Sequence, residues 1–441
     1  MFLTGDRSTQ FWVAGAFAIT LLSAVLFFQN VLQTNIDHPI RGDAKDYVAY
    51  AFNLKMHGVY SRSEPDTALE LLKPDALRAP GYPFFLSFFV DSERQTFAVA
   101  NVLLMQAVLG VLTVMAYLWL FRRLMPTGWA LPAGLLTAIS PHLLNTSVYI
   151  LSESLFTFML GLHLLVLERA IRLKQVHWAF IAGLLLAIGF LVRPTTQYLF
   201  FVYLAIAIVR FRTFAWDYRK NLIYFLLPVL MAIGMWSVRN LVETGRSSDP
   251  TLTANFLQHG MYINMMYEDH PETYGYPYRY DPVSREIEGD TGKILEVMGQ
   301  KFLQNPRRYF AWFLIGKPIQ FFSWNLTESV GDAFVYAPIY SPYFDQGLFD
   351  ITHAAAKALH PFLMFFGIVG AFFAVFQAKK NRVAVLLGIV MFYFLGLHMI
   401  GAPFPRYSIP LRPMNYGLAL FALHELTQWV KARVKVANGV S

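Results

Sequence analysis

A chain of 441 residues that is 56% hydrophobic and only 15% charged, with a mean hydropathy of +0.42, carries more apolar surface than a water-soluble globule can hide; soluble domains average about 25% charged residues. The absence of cysteine excludes disulfides, thiolate chemistry and cysteine–metal sites. The net charge of +8 points to the Lys/Arg excess of cytoplasmic loops rather than to nucleic acid, and no nucleic-acid partner is expected.

The first apolar run, 11–32, is too long for the hydrophobic stretch of a signal peptide and reads as a retained first helix. Further runs follow at 97–121, 129–148, 152–167, 177–192, 198–209, 221–238, 356–377, 383–400 and 407–428. Most reach the roughly 17–25 residues that a helix needs to cross the hydrocarbon layer. Brief basic connectors separate many of them: Arg122/Arg123, Arg169/Arg172/Lys174, Arg210/Arg212/Arg219/Lys220, Lys379/Lys380/Arg382 and the tail Lys431/Arg433/Lys435. Two long connectors, 33–96 and 239–355, are instead mixed in charge and rich in Tyr, Pro and Asp.

With the N-terminus in the cytoplasm, the internal basic connectors fall on one side and both long segments on the other. This requires the run Tyr309–Trp324, interrupted by Lys317-Pro318, to be interfacial or re-entrant. The expected fold is an all-α polytopic membrane protein of about 10–11 transmembrane helices, with both termini cytoplasmic and juxtamembrane helices outside. Three parts are read: a transmembrane catalytic module 1–238 that includes the loop 33–96, an external or interfacial region 239–355, and C-terminal helices and tail 356–441.

The candidate chemistry gathers on the external side. Asp43 and Tyr47 are four apart and share a helical face. An acid at a helix start stays ionised beside the positive dipole end and could take a proton from a sugar hydroxyl. A solvated helix-start charge explains the same spacing. Arg78 precedes the stiff Pro80-Gly81-Tyr82-Pro83 turn, which holds it near the depth of phosphate headgroups. Glu153 lies between two apolar runs as a second acid. Arg193 ends the run 177–192, where a cation goes against the positive-inside bias. With Lys317, Arg239 and Arg406 it could cradle a phosphate or pyrophosphate, although cations at span ends also snorkel. His38, His259, His270 and His398 are scattered, and no Walker loop, GxGxxG or HExxH pattern is present.

In order, the segments Gly42-Asp43-x-x-x-Tyr47-x-x-x-Ala51-x-Asn53-Leu54, Arg78-Ala79-Pro80-Gly81-Tyr82-Pro83, Leu151-Ser152-Glu153-Ser154-Leu155-Phe156, Gly189-Phe190-Leu191-Val192-Arg193-Pro194, Arg239-Asn240, Gly316-Lys317-Pro318 and Pro405-Arg406-Tyr407 resemble the GT-C class of membrane glycosyltransferases. The likeness is to the family of protein O-mannosyltransferases and aminoarabinose lipid A transferases. It implies a polyprenyl-phosphate or polyprenyl-diphosphate sugar donor and inverting transfer to an acceptor hydroxyl on a lipid, glycan or protein. The reaction would take place on the external face. A bacterial member would use undecaprenyl phosphate and face the periplasm from the inner membrane. Asp43 then looks like the catalytic base, with Glu153 as a second acid. Arg78, Arg193, Lys317 and Arg406 stand for the donor phosphate, and Tyr47, Tyr82 and Arg239 line the substrate.

Ala44 stands where several relatives carry a second acidic residue. A divalent cation, Mg or Mn, would have only Asp43 and Glu153 to hold it. The Arg78–Pro83 segment departs from the Glu-Lys-Pro-Pro of the aminoarabinose enzymes, so lipid A is not carried over as the acceptor. A lipid-linked sugar flippase would set polar, broken helices near the bilayer midplane in paired halves, which this pattern lacks. An oligosaccharide polymerase, whose donor is also lipid-linked, stays open.

Overall fold

A computed structural model describes residues 7–210, 216–327, 332–376 and 381–437. Arg212, Lys379 and Lys380 of the basic connectors lie outside the described residues. Every one of the apolar runs is helical. The chain begins with α1 (Arg7–Gln33), followed in the first long loop by α2 (Asp43–His57) and α3 (Gly81–Ser87). A two-stranded antiparallel hairpin, β1 (Val90–Asp91) and β2 (Thr96–Phe97), closes that loop with Val90 opposite Phe97. Then come α4 (Val99–Leu124), α5 (Thr127–Ala138), α6 (Pro141–Thr146), α7 (Glu153–Leu173), α8 (Val176–Val192), α9 (Leu199–Arg210) and α10 (Trp216–Thr244). The second long segment holds α11 (Thr251–Gly260), α12 (Ser284–Ile287), α13 (Thr291–Gln304), α14 (Pro306–Ala311) and α15 (Lys317–Phe321). Three long helices end the chain: α16 (Gly347–Phe376), α17 (Arg382–Ile400) and α18 (Arg412–Ala437).

Among the described residues, six helices are long and apolar enough to cross a membrane: α1, α4, α7, α10, α16 and α17. The four remaining apolar runs form helices that are shorter or more polar than these six. The run 129–148 is split between α5 and α6 at Ser140-Pro141, where a proline starts the second helix. The helices α8 and α9 have 17 and 12 residues. The second half of α18 turns polar at His424, Glu425 and Lys431.

Large apolar side chains on the outer faces are bare: Phe17 of α1 is 70% exposed, Val242 of α10 75% and Phe376 of α16 71%. So much unpartnered apolar surface on helices of this length needs lipid to cover it. The chain is a multi-pass integral membrane protein.

Inside, the helices pack in two groups. One runs through α1, α4, α5, α7, α8 and α10; the other comprises α16, α17 and α18, with α18 returning against α5. Leu26, Phe27, Tyr117, Phe121, Phe156, Leu387, Met391 and Leu418 fill one continuous core. The second long segment forms a small packed unit of its own around Ala254, Met261, Tyr262, Ile287 and Ile294.

The segment 306–321 differs from the sequence expectation. Lys317-Pro318 does not interrupt it: α14 continues through a π turn at Trp312–Gly316 straight into α15. Proline lacks an N–H and crowds the carbonyl four residues earlier, and the wider π turn before it relieves both.

Two helix crossings depend on bare glycine surfaces. A Cβ on Gly183 would fall 2.0 Å from the Phe225 carbonyl oxygen where α8 meets α10, and one on Gly370 would fall 2.0 Å from the Leu418 carbonyl oxygen where α16 meets α18. Overpacking of this kind costs about 1–3 kcal/mol. Gly183→Val and Gly370→Val are each expected to lower the thermal unfolding midpoint in detergent, whereas Gly299→Ala, at a glycine with open space around it, leaves it in place.

Candidate active site

The site starts from the turn into α2. Gly42 has φ +54° and ψ −129°, a backbone conformation open to glycine and strained for other residues. A Cβ there would also fall 2.5 Å from the Tyr336 hydroxyl. This turn presents Asp43 and Asp46 on the first turn of α2, one face of the helix, at its positive dipole end.

Arg78 reaches both acids from the loop ahead of α3. Its Nη2 donates to Asp43 Oδ1 at 2.8 Å and to Asp46 Oδ2 at 2.8 Å, and its Nε donates to Asp46 Oδ2 at 3.0 Å. The guanidinium rests over the Tyr47 ring, 5.3 Å from its centre.

Arg406 arrives from the far end of the chain, on the 3₁₀ turn Pro405–Leu411 that leads into α18. It bridges two acids, donating from Nη2 to Asp43 Oδ2 at 3.0 Å and from Nε to Glu153 Oε1 at 2.7 Å. Glu153 is the first residue of α7 and is fully buried. Arg193, at the end of α8, brings Nη1 to 3.1 Å from the same Glu153 oxygen, and its guanidinium lies 4.9 Å from the centre of the Tyr407 ring. That approach is an ion pair out of line for a hydrogen bond. Among the described residues, Glu153 Oε2 and Arg193 Nη1 are both buried without a hydrogen-bond partner.

The result is one line of alternating charge: Asp46, Arg78, Asp43, Arg406, Glu153, Arg193. Three carboxylates face three guanidiniums, so the formal charge of the line is zero. It runs from a wet end to a dry one: the Asp43 side chain is 32% exposed and the Glu153 side chain 0%. Burial alone would raise the Asp43 carboxyl. Arg406 and Arg78 outweigh it through charge and hydrogen bonds and hold the group down, at about 2.

Of the residues singled out in the sequence, Asp43, Tyr47, Arg78, Glu153, Arg193 and Arg406 come together here. Three others stand apart. Tyr82 packs edge-on against Tyr47 at 5.0 Å, is fully buried and donates to Gln106 Oε1 at 2.8 Å; it supports Tyr47 from behind. Arg239 donates to the backbone carbonyls of Asp75 at 2.7 Å and Tyr60 at 3.1 Å, tying the first long loop to α10. Lys317 is fully buried. Its Nζ donates to the carbonyls of Met399, Ile400 and Gly401 at 2.9, 3.1 and 3.0 Å, capping the end of α17.

Other residues went unnoticed in the sequence. Asp46 is one, although its spacing of three from Asp43 places it on the same face. Arg412 is another: it is fully buried and donates to the Ser323 carbonyl at 2.8 Å. His360 and His142 hold the carbonyls on either side, Phe322 at 2.7 Å and Trp324 at 2.8 Å. An arginine inside the apolar run 407–428 was the available signal.

A Mg or Mn ion does not fit this set. Among the described residues no three His, Asp or Glu side chains converge. The carboxylates that would hold the ion already face guanidiniums, and divalent ions need several oxygen ligands.

Breaking a buried charge pair from one side costs about 3–5 kcal/mol. Glu153→Ala is therefore expected to destabilise the protein strongly in detergent unfolding, and Glu153→Gln less. Asp43 ionises at about 2 in the folded chain against an ordinary 3.8. The stability it contributes is complete above the ordinary value and is lost as pH falls from about 4 toward 2. The gap in unfolding midpoint between the wild type and Asp43→Asn should shrink over that window.

Comparison with known proteins places this geometry. The family model for dolichyl-phosphate-mannose-protein mannosyltransferase matches residues 78–237, about a third of the chain. No curated protein sequence matches the chain. Among solved structures, it is similar to the oligosaccharyltransferase AglB of Archaeoglobus fulgidus in complex with an inhibitory peptide and a dolichol-phosphate. The TM-score is 0.52 at 15% identity, covering 98% of this chain and 52% of the other. It is similar to the same archaeal enzyme tethered to an acceptor peptide, with a TM-score of 0.51 at 16% identity, covering 98% and 51%. ArnT from Cupriavidus metallidurans, bound to undecaprenyl phosphate, aligns with a TM-score of 0.49 at 14% identity over 97% of this chain and 63% of that one. The chain thus spans about half the length of the archaeal structures it matches. It has the fold of the GT-C membrane glycosyltransferases, and its residues 78–237 carry the sequence pattern of the dolichyl-phosphate-mannose-protein mannosyltransferase family.

Proposed function

We propose that this protein is a membrane glycosyltransferase that moves a sugar from a polyprenyl-phosphate or polyprenyl-diphosphate donor to an acceptor hydroxyl, with inversion, using Asp43 as the base. The observation that carries this reading is Asp43 itself, a partly exposed carboxylate on the first turn of α2, set between Arg78 and Arg406. The family pattern over 78–237 and a fold shared with a protein solved with dolichol-phosphate support it.

The chemistry needs two things that the line of charge supplies. An acceptor hydroxyl must lose a proton, and a lipid phosphate must leave as an anion. In the proposed step the acceptor O–H proton passes to the Asp43 carboxylate. The acceptor oxygen forms a bond to the anomeric carbon, and the bond from that carbon to the phosphate oxygen breaks. The electron pair departs with the phosphate, whose charge is met by Arg406 and Arg193. One in-line displacement inverts the anomeric centre.

In this reading the two long loops, which meet through the Asn35–Tyr340 bridge and Arg41 over the Tyr336 ring, lie on the external face. In a bacterial cell this is the periplasmic side of the inner membrane. The acceptor, a lipid, glycan or protein, reaches Asp43 from there.

The test uses purified protein in lipid nanodiscs with a panel of radiolabelled polyprenyl-phosphate sugars. The wild type is expected to consume one donor, and Asp43→Asn to turn it over about 10²–10⁴-fold more slowly while eluting as the wild type does. Normal turnover by that variant removes Asp43 from the base role.

A further inference from the structure

Arg406 spends Nε on Glu153 and Nη2 on Asp43. A guanidinium is a fixed fork of donors, and carboxylate and phosphate oxygens fit that fork in the same way. The anion that Arg406 is suited to recognise is therefore already present, supplied by the protein. Among the described residues the six formal charges of the line cancel, so an incoming phosphate competes with the carboxylates already on it.

Asp43 is engaged on both oxygens, Oδ1 by Arg78 and Oδ2 by Arg406. A carboxylate held in this way has little affinity for a proton and is a poor base. At the dry end, among the described residues, Glu153 Oε2 and Arg193 Nη1 are buried and make no hydrogen bond, although Nη1 lies 3.1 Å from Glu153 Oε1. Buried polar atoms without a hydrogen bond leave room for a water, an ion or a ligand group to satisfy them.

We propose that the donor phosphate enters by taking Arg406 away from Asp43, so that donor binding and arming of the base are one event. The proposal rests on the reading that the donor is a lipid-linked phosphate. In the resting site Asp43 is disarmed by its own arginines. When the phosphate takes over the Nη edge of Arg406, Asp43 loses a hydrogen bond and gains an anion as neighbour. Both changes favour its protonated form, and the carboxylate becomes a stronger base only where a sugar is in position. Asp46 keeps Arg78 in place during the exchange through its two hydrogen bonds. The order of events follows: donor first, acceptor second.

The exchange is read by the binding of farnesyl phosphate to the full-length protein in nanodiscs, by calorimetry, with farnesol as the phosphate-free control. Asp43→Asn removes the resident competitor and is expected to bind farnesyl phosphate more tightly, by about tenfold, within the usual range of coupling between sites. Glu153→Gln, which releases the Nε edge, should tighten binding in the same direction and decides the matter if Asp43→Asn does not fold. Asp46→Asn removes the same unit of charge close by without touching Arg406, and should change affinity less. Farnesol binding should not move.

Unchanged or weaker binding by both Asp43→Asn and Glu153→Gln, with the wild type still binding, overturns the exchange and leaves the donor reading standing. Equal tightening by Asp46→Asn also overturns it, because general charge then explains the effect. If no form binds farnesyl phosphate, the donor reading fails and the exchange with it. A second readout is kinetic. The acid limb of kcat should lie at higher pH than that of kcat/KM, since the former reports Asp43 beside the donor and the latter the free enzyme; coincident limbs count against the exchange.

Discussion

One side chain joins the parts of this protein that the chain keeps farthest apart. Arg406 bonds to Glu153 across 253 residues and to Asp43 across 363. It fastens the turn before α18 to the start of α7 and the start of α2. Glu153 is fully buried, and a buried carboxylate without a cation is among the more costly features a fold can carry. The packing of the two helix groups therefore depends on this bridge, and the site is built at the place where stability requires the ends of three elements to meet.

Around that bridge the structure uses basic side chains to fix backbone. His360, Arg412 and His142, from α16, α18 and α6, hold the successive carbonyls of Phe322, Ser323 and Trp324. Lys317, at the start of the same segment, caps α17. Arg239 ties down the first long loop. Carbonyls beyond helix ends have no partner in hydrocarbon, so each must find a donor within the protein. These cations position the loops that enclose the site, while Arg78, Arg193 and Arg406 pair with the acids Asp43, Asp46 and Glu153.

Much of this was legible in the sequence because a bilayer imposes simple rules. Apolar runs of spanning length could only be helices, and Asp43, Tyr47, Arg78, Glu153, Arg193 and Arg406 stood out as polar residues at their ends. Asp46 was within reach of the same spacing rule. The sequence treats all cations at one membrane face alike. Lys317 and Arg239 look the same in the sequence as Arg193, and only the surrounding carbonyls show that their donors are taken. Pro141 and the polar second half of α18 likewise break up or dilute runs whose composition alone reads as continuous.

The sequence by itself determined the solvent, the helices and a short roster of charged residues, since hydropathy and periodicity act locally and leave a local trace. The pairing of those charges was decided only by the tertiary structure. Which carboxylate meets which guanidinium depends on how the ends of α2, α7, α8 and the Pro405–Leu411 turn converge, and contacts across hundreds of residues leave no mark in local spacing. Asp43 reads in the sequence as a solvated acid at a helix start. In the fold it is a carboxylate clamped between two arginines, because burial makes every charge find a partner.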